Sequence, residues 1–367
     1  MPSSHFFLTL NIFSATGGIE KVCRIAGKAL YEQSVQQQQR LRIWSMHDRE
    51  GDAVDNPYFP TELYKCFGAR KVGFVSRAIR QGARSRVVIL SHINLLMIGW
   101  FIKKLSPRTQ IILMSHGIEI WGRVSRAKAM MLSAVDEFWA VSQYTRQRIM
   151  ESHGMDGQKV KVLNNCLDPY LPLPKNISVP RGLAQRYGIA PDDKLLFTLS
   201  RLSSKEKYKG YDDVIDALSE LKHLPIKYLI GGKADATELA QLQQRIQAAG
   251  LQQQVILAGY IPDAELAAHF AMSHCYIMPS SKEGFGIVFI EAMYYGVPVI
   301  GGNADGTTDA LLQGKLGTLV PPGNIAAIRE AILSVLSSPQ QHAPNAQSLR
   351  QHFSYPVYKQ KLQALLS

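Results

Sequence analysis

A chain of 367 residues is too long for one compact core and suits two domains. With 46% hydrophobic and 19% charged residues, the composition excludes a disordered, collagen-like or disulfide-scaffold chain. The net charge of +12 is one-sided: residues 1–175 hold 24 Lys and Arg against 13 Asp and Glu, the remainder 17 against 16. A basic first half points to nucleic acid, an anionic membrane or a phosphorylated substrate. Cys23, Cys66, Cys166 and Cys275 lack metal-ligand or disulfide spacing and read as reduced thiols. The first residues lack the features of a signal peptide, so a cytoplasmic location is expected. The longest early apolar run, Ile93 to Ile102, is only about half a membrane span.

His5 to Phe13 reads as a buried first strand, followed by a Gly17-Gly18 turn into a helix starting near Ile19. Strand, glycine turn and helix are the parts of a phosphate-facing loop in a doubly wound sheet, although neither Gly-x-Gly-x-x-Gly nor a Walker lysine is present. Arg40 to Met46 is a second strand, and residues 47–62 read as a polar loop. In residues 63–86, seven Lys and Arg alternate with apolar side chains and no acid interrupts them. Part of this stretch reads as an amphipathic helix whose basic face suits anionic headgroups. Strands follow at Arg86 to Leu90, Gln110 to Ser115 and Glu137 to Val141. His116 stands at the end of one of them, where open α/β sheets bind ligands. Ser142 is the expected cap of the next helix. The prolines at 169, 172, 174 and 180 form a stiff linker.

Leu195 to Ser200 opens the second half as a buried strand. Arg201 lies at its end and Lys209 just before a helix, so both are expected to converge on one anion. Ile226 to Gly232 and Val255 to Pro262 are further strands. The central motif runs from Cys275 through Met278-Pro279-Ser280-Ser281 to Glu283-Gly284-Phe285-Gly286 and a helix over Ile287 to Tyr295. Its amides at Phe285, Gly286 and Ile287 sit at a helix N-terminus, where an anion is favoured. Glu283 on the loop and Glu291 one to two turns into the helix are placed for two sets of hydroxyls. A helix over Ile325 to Ser337 and a short one after Tyr355 complete the chain.

The Glu-x7-Glu stretch with its Pro-Ser entry and Gly-Val-Pro-Val exit resembles the donor-sugar signature of the retaining family-4 glycosyltransferases (glycosyl transferases group 1), strongly from Leu195 to Asn324 and more loosely before Asn165. The resemblance implies an α/β fold of two Rossmann-like doubly wound domains facing across a cleft (GT-B). An acceptor-binding domain over 1–172 is followed by a nucleotide-sugar-binding domain over 173–350, and a helix over 351–367 returns to the first. It implies that Gly17 and Gly18 let the backbone approach the donor, that His116 faces the donor sugar, that Gly232 is on the nucleotide side and that Tyr260 lines the base pocket. Departures are Asn164 and Cys166 in place of a Pro and a Gly, and Asp309 where a Glu is usual.

Together these readings predict a metal-independent hexose transfer from GDP-mannose or a UDP-hexose to a lipid-linked or saccharide acceptor in surface-glycan synthesis. Catalytic roles fall to His116, Arg201, Lys209 and Glu283, and Glu291 holds the ribose. No metal or cofactor is expected, because no Asp-x-Asp stands at a strand end and no His/Cys cluster exists. The expected location is peripheral, at the inner face of a membrane through 63–86. Alternatives are a nucleotide-sugar epimerase of the same fold class, and a basic membrane- or nucleic-acid-binding module without catalysis. A dehydrogenase would need a nicotinamide fingerprint that is missing. The aromatic platforms of single-strand binders are not evident, so no nucleic-acid partner is expected.

Overall fold

Apolar runs bounded by glycine and polar turns become strands here, and every pairing between named strands is parallel. The structure, a computed structural model, describes residues 4–367. It divides into two compact units: one runs to Pro169 and takes in Tyr355–Ser367, the other is Tyr170–Ser354.

In the first unit the strands are β1 (Ser4–Thr9), β2 (Arg40–Ser45), β3 (Tyr64–Cys66), β4 (Val87–Leu90), β5 (Gln110–Ser115), β6 (Glu137–Ala140) and β7 (Val160–Val162). They lie in the order β3-β2-β1-β4-β5-β6-β7, so the direction of winding reverses between β1 and β4. The helices are α1 (Gly18–Gln36), α2 (Lys71–Gly82), α3 (Leu96–Leu105), α4 (Ile118–Trp121), α5 (Arg126–Leu132) and α6 (Gln143–His153). Apolar side chains of α2, α3 and α5 share one core with Phe6 and Leu8 of β1. The C-terminal helix, Tyr355–Leu365, lies against α1, with Lys359 paired to Glu32 at 2.7 Å. Ser142 caps α6 as expected, accepting from the Thr145 amide.

The second unit repeats the plan with β8 (Lys194–Leu199), β9 (Ile226–Gly231), β10 (Val255–Gly259), β11 (Cys275–Met278), β12 (Val299–Gly302) and β13 (Thr318–Val320), in the order β10-β9-β8-β11-β12-β13. Its helices are α7 (Arg181–Arg186), α8 (Tyr211–Ser219), α9 (Ala236–Ala248), α10 (Asp263–Met272), α11 (Ile287–Tyr294), α12 (Thr307–Ala310), α13 (Ile325–Ser337) and α14 (Ala346–Phe353). Winding reverses between β8 and β11, so the loops after these two strands flank the place where such sheets bind ligands. Helix α14 has no counterpart in the sequence reading. Only Leu349 and Phe353 are buried in it, too few for a clear periodic signal.

Two stretches differ from expectation. The first strand ends at Thr9 rather than Phe13, because the next backbone groups turn to a buried carboxylate. The amides of Ile12, Phe13 and Ser14 donate to Asp48 at 2.9, 3.1 and 3.2 Å, and the Ser14 and Tyr64 hydroxyls donate to it as well. Residues 63–86 split into the edge strand β3 and helix α2, which buries Phe74, Ala78 and Gly82 and leaves its basic face outward.

Burial alone would raise the Asp48 carboxyl, but the hydrogen bonds from Ser14, Tyr64, Phe13 and Ile12 outweigh it and hold it below the usual aspartate value. A depressed acid stabilises the fold above its unfolded pKa of about 4 and loses that contribution as pH falls further. Asp48→Ala strands several buried donors and should cost about 3 kcal/mol in urea unfolding at neutral pH, with a smaller penalty below about pH 3. A loss under about 1 kcal/mol would show that the loop does not depend on this carboxylate.

Candidate functional site

In the second unit the loop after β8 is drawn against the end of β11 by one glycine. Gly210 has φ +79°, and a Cβ there would lie 2.5 Å from the Pro279 carbonyl oxygen. With the backbones this close, Lys209 Nζ reaches Glu283 Oε2 at 2.6 Å, and the side chains are only 16% and 19% exposed. Burial pulls the ammonium down, but the Glu283 carboxylate more than offsets this, and Lys209 titrates above the usual lysine value. It is therefore charged at neutral pH. Tyr208 lies beneath it, with Nζ 5.5 Å from the ring centre, and the Tyr208 carbonyl accepts from the Ser281 amide at 2.9 Å.

Arg201 is placed differently from the expectation that it and Lys209 converge on one anion. Its side chain is 73% exposed and paired with Glu206 through both carboxylate oxygens. Tyr208 feels the charges of both pairs, Arg201 with Glu206 and Lys209 with Glu283. The reason for the difference is local: Glu206, five residues on in the same loop, is a closer counter-ion than anything across it. An incoming anion must compete with Glu206 for the guanidinium. Lys207 is likewise engaged, with Glu238 at 3.0 Å and Asp212 at 3.3 Å.

The direction of Glu283 is set from behind by Asp305, which the sequence reading passed over. Asp305 is fully buried and accepts from Ser280 Oγ at 2.8 Å, the Glu283 amide at 2.7 Å and the Thr307 amide at 2.9 Å. The Glu283 carbonyl in turn accepts from the Gly306 amide at 2.8 Å. Only glycine fits at 306, since a Cβ would stand 2.0 Å from the Gly284 oxygen. Helix α11 then starts at Gly286, which makes no side-chain cap. The amides of Phe285, Gly286 and Ile287 take no acceptor from the described residues and point out at the helix start. Phe285 is buried edge-on against Phe353 of α14, 5.5 Å between ring centres, which anchors the loop. Glu291 is 4% exposed on the second turn of α11. Gly232 and Tyr260 follow β9 and β10, where the Gly232 amide donates to the Gly259 carbonyl at 2.7 Å and Tyr260 remains exposed.

The first unit holds the other three expected residues. Gly17 precedes α1 in extended conformation and Gly18 begins it, and a Cβ at 18 would meet nothing within 4 Å. A Cβ at 17 would instead collide with the Glu20 carboxylate, so the open space is at Gly18. His116 follows β5, and its Nε2 donates to the Ser91 carbonyl at 2.7 Å, at the end of β4. Its buried Nδ1 has no hydrogen-bond partner among the described residues. Glu119 binds the His116 and Gly117 amides at 2.6 and 3.2 Å and shapes the turn. No group of three or more His, Cys, Asp or Glu arranged to hold a metal occurs among the described residues.

Burial outweighs the hydrogen bonds from Thr307 and Ser280 and pushes Asp305 up to about 6. A raised acid destabilises the fold as pH climbs from about 4 through 6, because the folded state there holds a proton that the unfolded chain has lost. Unfolding free energies of wild type and Asp305→Asn, compared at about pH 4.5 and 7, should show the wild type losing about 2 kcal/mol relative to the variant at the higher pH. A pH-independent difference would contradict the buried, raised carboxyl.

The glycosyl transferases group 1 family model matches residues 183–358. The GDP-mannose-dependent alpha-(1-6)-phosphatidylinositol monomannoside mannosyltransferase of Mycolicibacterium smegmatis is 30% identical over 64% of this chain and 63% of its own length. N-acetyl-alpha-D-glucosaminyl L-malate synthase of Bacillus anthracis is 23% identical over 70% of this chain and 65% of its own. The chain thus spans somewhat less than two thirds of the length of these curated relatives. Anabaena HepE, solved with UDP and glucose, superposes with TM-score 0.81 at 21% identity, covering 99% of both chains. WaaG, described as a glycosyltransferase involved in lipopolysaccharide biosynthesis, superposes with TM-score 0.66 at 14% identity, covering 98% and 99%. With its two parallel sheets the chain has the GT-B fold, and its segment 183–358, which holds the motif around Glu283, matches the glycosyl transferases group 1 family.

Proposed function

We propose that the protein transfers a hexose, with retention at the anomeric carbon and without a metal, from a nucleoside diphosphate sugar to a lipid-linked or saccharide acceptor. The observation that carries this reading is the half-buried Lys209–Glu283 pair beside three unpartnered amides at the start of α11. Breaking the bond from C1 to the diphosphate leaves the electron pair, and growing negative charge, on the diphosphate oxygens. Lys209 and the amides of Phe285, Gly286 and Ile287 supply fixed positive charge for it, and Arg201 adds to it when the anion displaces Glu206. Glu283, held by Asp305 and Gly306, accepts hydrogen bonds from the sugar, and Glu291 from the ribose.

In the first unit His116 Nδ1 is assigned to a sugar hydroxyl, and Gly17 and Gly18 to close approach of the donor. Gly232 and Tyr260 are assigned to the nucleotide. The names of the relatives support GDP-mannose or a UDP-hexose as donor, and those of two of them support work in lipid-linked glycan synthesis. Among the described residues no helix is long and apolar enough to cross a membrane. We place the protein peripherally at the cytoplasmic face.

Lys209→Ala should lower turnover about a hundredfold or more, with little change in melting temperature. Steady-state kinetics with radiolabelled donor and circular dichroism test it, and near-normal transfer by that variant would remove the diphosphate clamp. Donor incubated without acceptor should keep its sugar configuration, whereas an epimerised product would favour the epimerase reading.

A further inference from the structure

The first unit carries an outer face that the transfer chemistry does not use. Helices α2 and α5 pack on either side of α3, and all three turn their apolar residues toward the sheet. Yet α3 also leaves Met97, Phe101 and Leu105 exposed, Leu105 by 68%. These residues are four apart, so they form one row along the outer surface of the helix. Trp100 lies beside Phe101, 5.0 Å between ring centres, with Lys104 Nζ 5.6 Å from the indole. That is the amphipathic grouping suited to a water–hydrocarbon boundary. Val72 of α2 is 85% exposed, and Met130 of α5 is exposed as well.

The charge on this face has one sign. Between Glu62 and Glu119 the chain has no acid and ten Lys and Arg residues. Glu119 is spent on the backbone of its own turn, and the next acid, Asp136, is held by Lys103 at 2.8 Å. Lys71, Arg77, Arg80, Lys104 and Arg126 have no ion-pair partner among the described residues.

We propose that this α2–α3–α5 face docks on an anionic lipid bilayer, with Met97, Phe101 and Leu105 entering the apolar layer and the flanking cations holding lipid phosphates. The inference rests on, and makes specific, the peripheral location put forward above. It moves the apolar part of the contact from 63–86 to α3, because the apolar side of α2 is consumed by the core. A row of Met, Phe and Leu has no counterpart in a nucleic-acid backbone, and a second copy of so uniformly basic a face would repel it. A bilayer carrying anionic headgroups satisfies both halves of the surface.

Flotation with phosphatidylcholine vesicles, alone or containing about one third phosphatidylglycerol, tests this on the full chain. Wild type should float with the anionic vesicles only, and less so as salt rises. The double variant Phe101→Ser with Leu105→Ser should bind roughly tenfold or more weakly, and Phe101→Leu should retain binding. Arg77→Gln with Arg80→Gln should weaken binding similarly and flatten the salt dependence. All these positions are exposed, so melting temperature and nucleotide binding should not change. Four results would overturn the proposal: no flotation, equal flotation of wild type and variants, tighter binding to a single-stranded oligonucleotide than to vesicles, or a dimer abolished by the Phe101 and Leu105 changes. A face variant that leaves vesicles yet transfers to a soluble acceptor keeps the transfer reading. Lys209→Ala that floats without transferring keeps the docking face.

Discussion

The Lys209–Glu283 ion pair exists because two backbones touch with no side chain between them. Gly210 against the Pro279 carbonyl brings the loop after β8 onto the end of β11. Gly306 against Gly284 then clamps the other side of the same loop. Any larger residue at either place would separate the strand ends and leave the ammonium and the carboxylate apart. The polar bonds around Asp305 follow from that closeness, since Ser280, Glu283 and Thr307 can share one buried carboxylate only if both loops are already in contact.

The charges of the site are balanced within the chain. Lys209 is matched by Glu283 and Arg201 by Glu206, so the basic groups that would meet a diphosphate already have partners. The two pairs differ in depth. A half-buried pair keeps its geometry with less screening, whereas an exposed arginine on an adjacent acid gains little from the contact and can exchange it for a ligand. Lys209 is accordingly the cation held in place and Arg201 the one free to change partner.

Much of the architecture was legible because parallel strands buried on both faces leave continuous apolar runs, and glycine marks where they end. Glu283, Glu291 and the helix start between them stood out through the strand–loop–helix pattern and the resemblance of their flanks to a donor-sugar signature, since a Glu pair at that spacing is common by itself. What escaped were carboxylates whose importance is set by distant parts of the chain. Asp48 lies in a stretch that reads as a polar loop, yet it ends β1 by binding amides more than thirty residues earlier. Asp305, ahead of a Gly-Thr, resembles any turn aspartate until its bonds to Ser280 and Glu283 are seen. The basic run over 63–86 was plain and suggested anionic headgroups, but the exposed apolar row was not, because α3 reads as one apolar stretch until its packing shows which side is left uncovered.

The central claim is that Lys209 and the amides opening α11 recognise a diphosphate. Calorimetric titration with a nucleoside diphosphate and with the corresponding nucleoside measures that directly, in wild type and in Lys209→Met. The account predicts that the diphosphate binds at least about tenfold tighter than the nucleoside in wild type and that Lys209→Met loses most of this preference. An unchanged preference in the variant would contradict it.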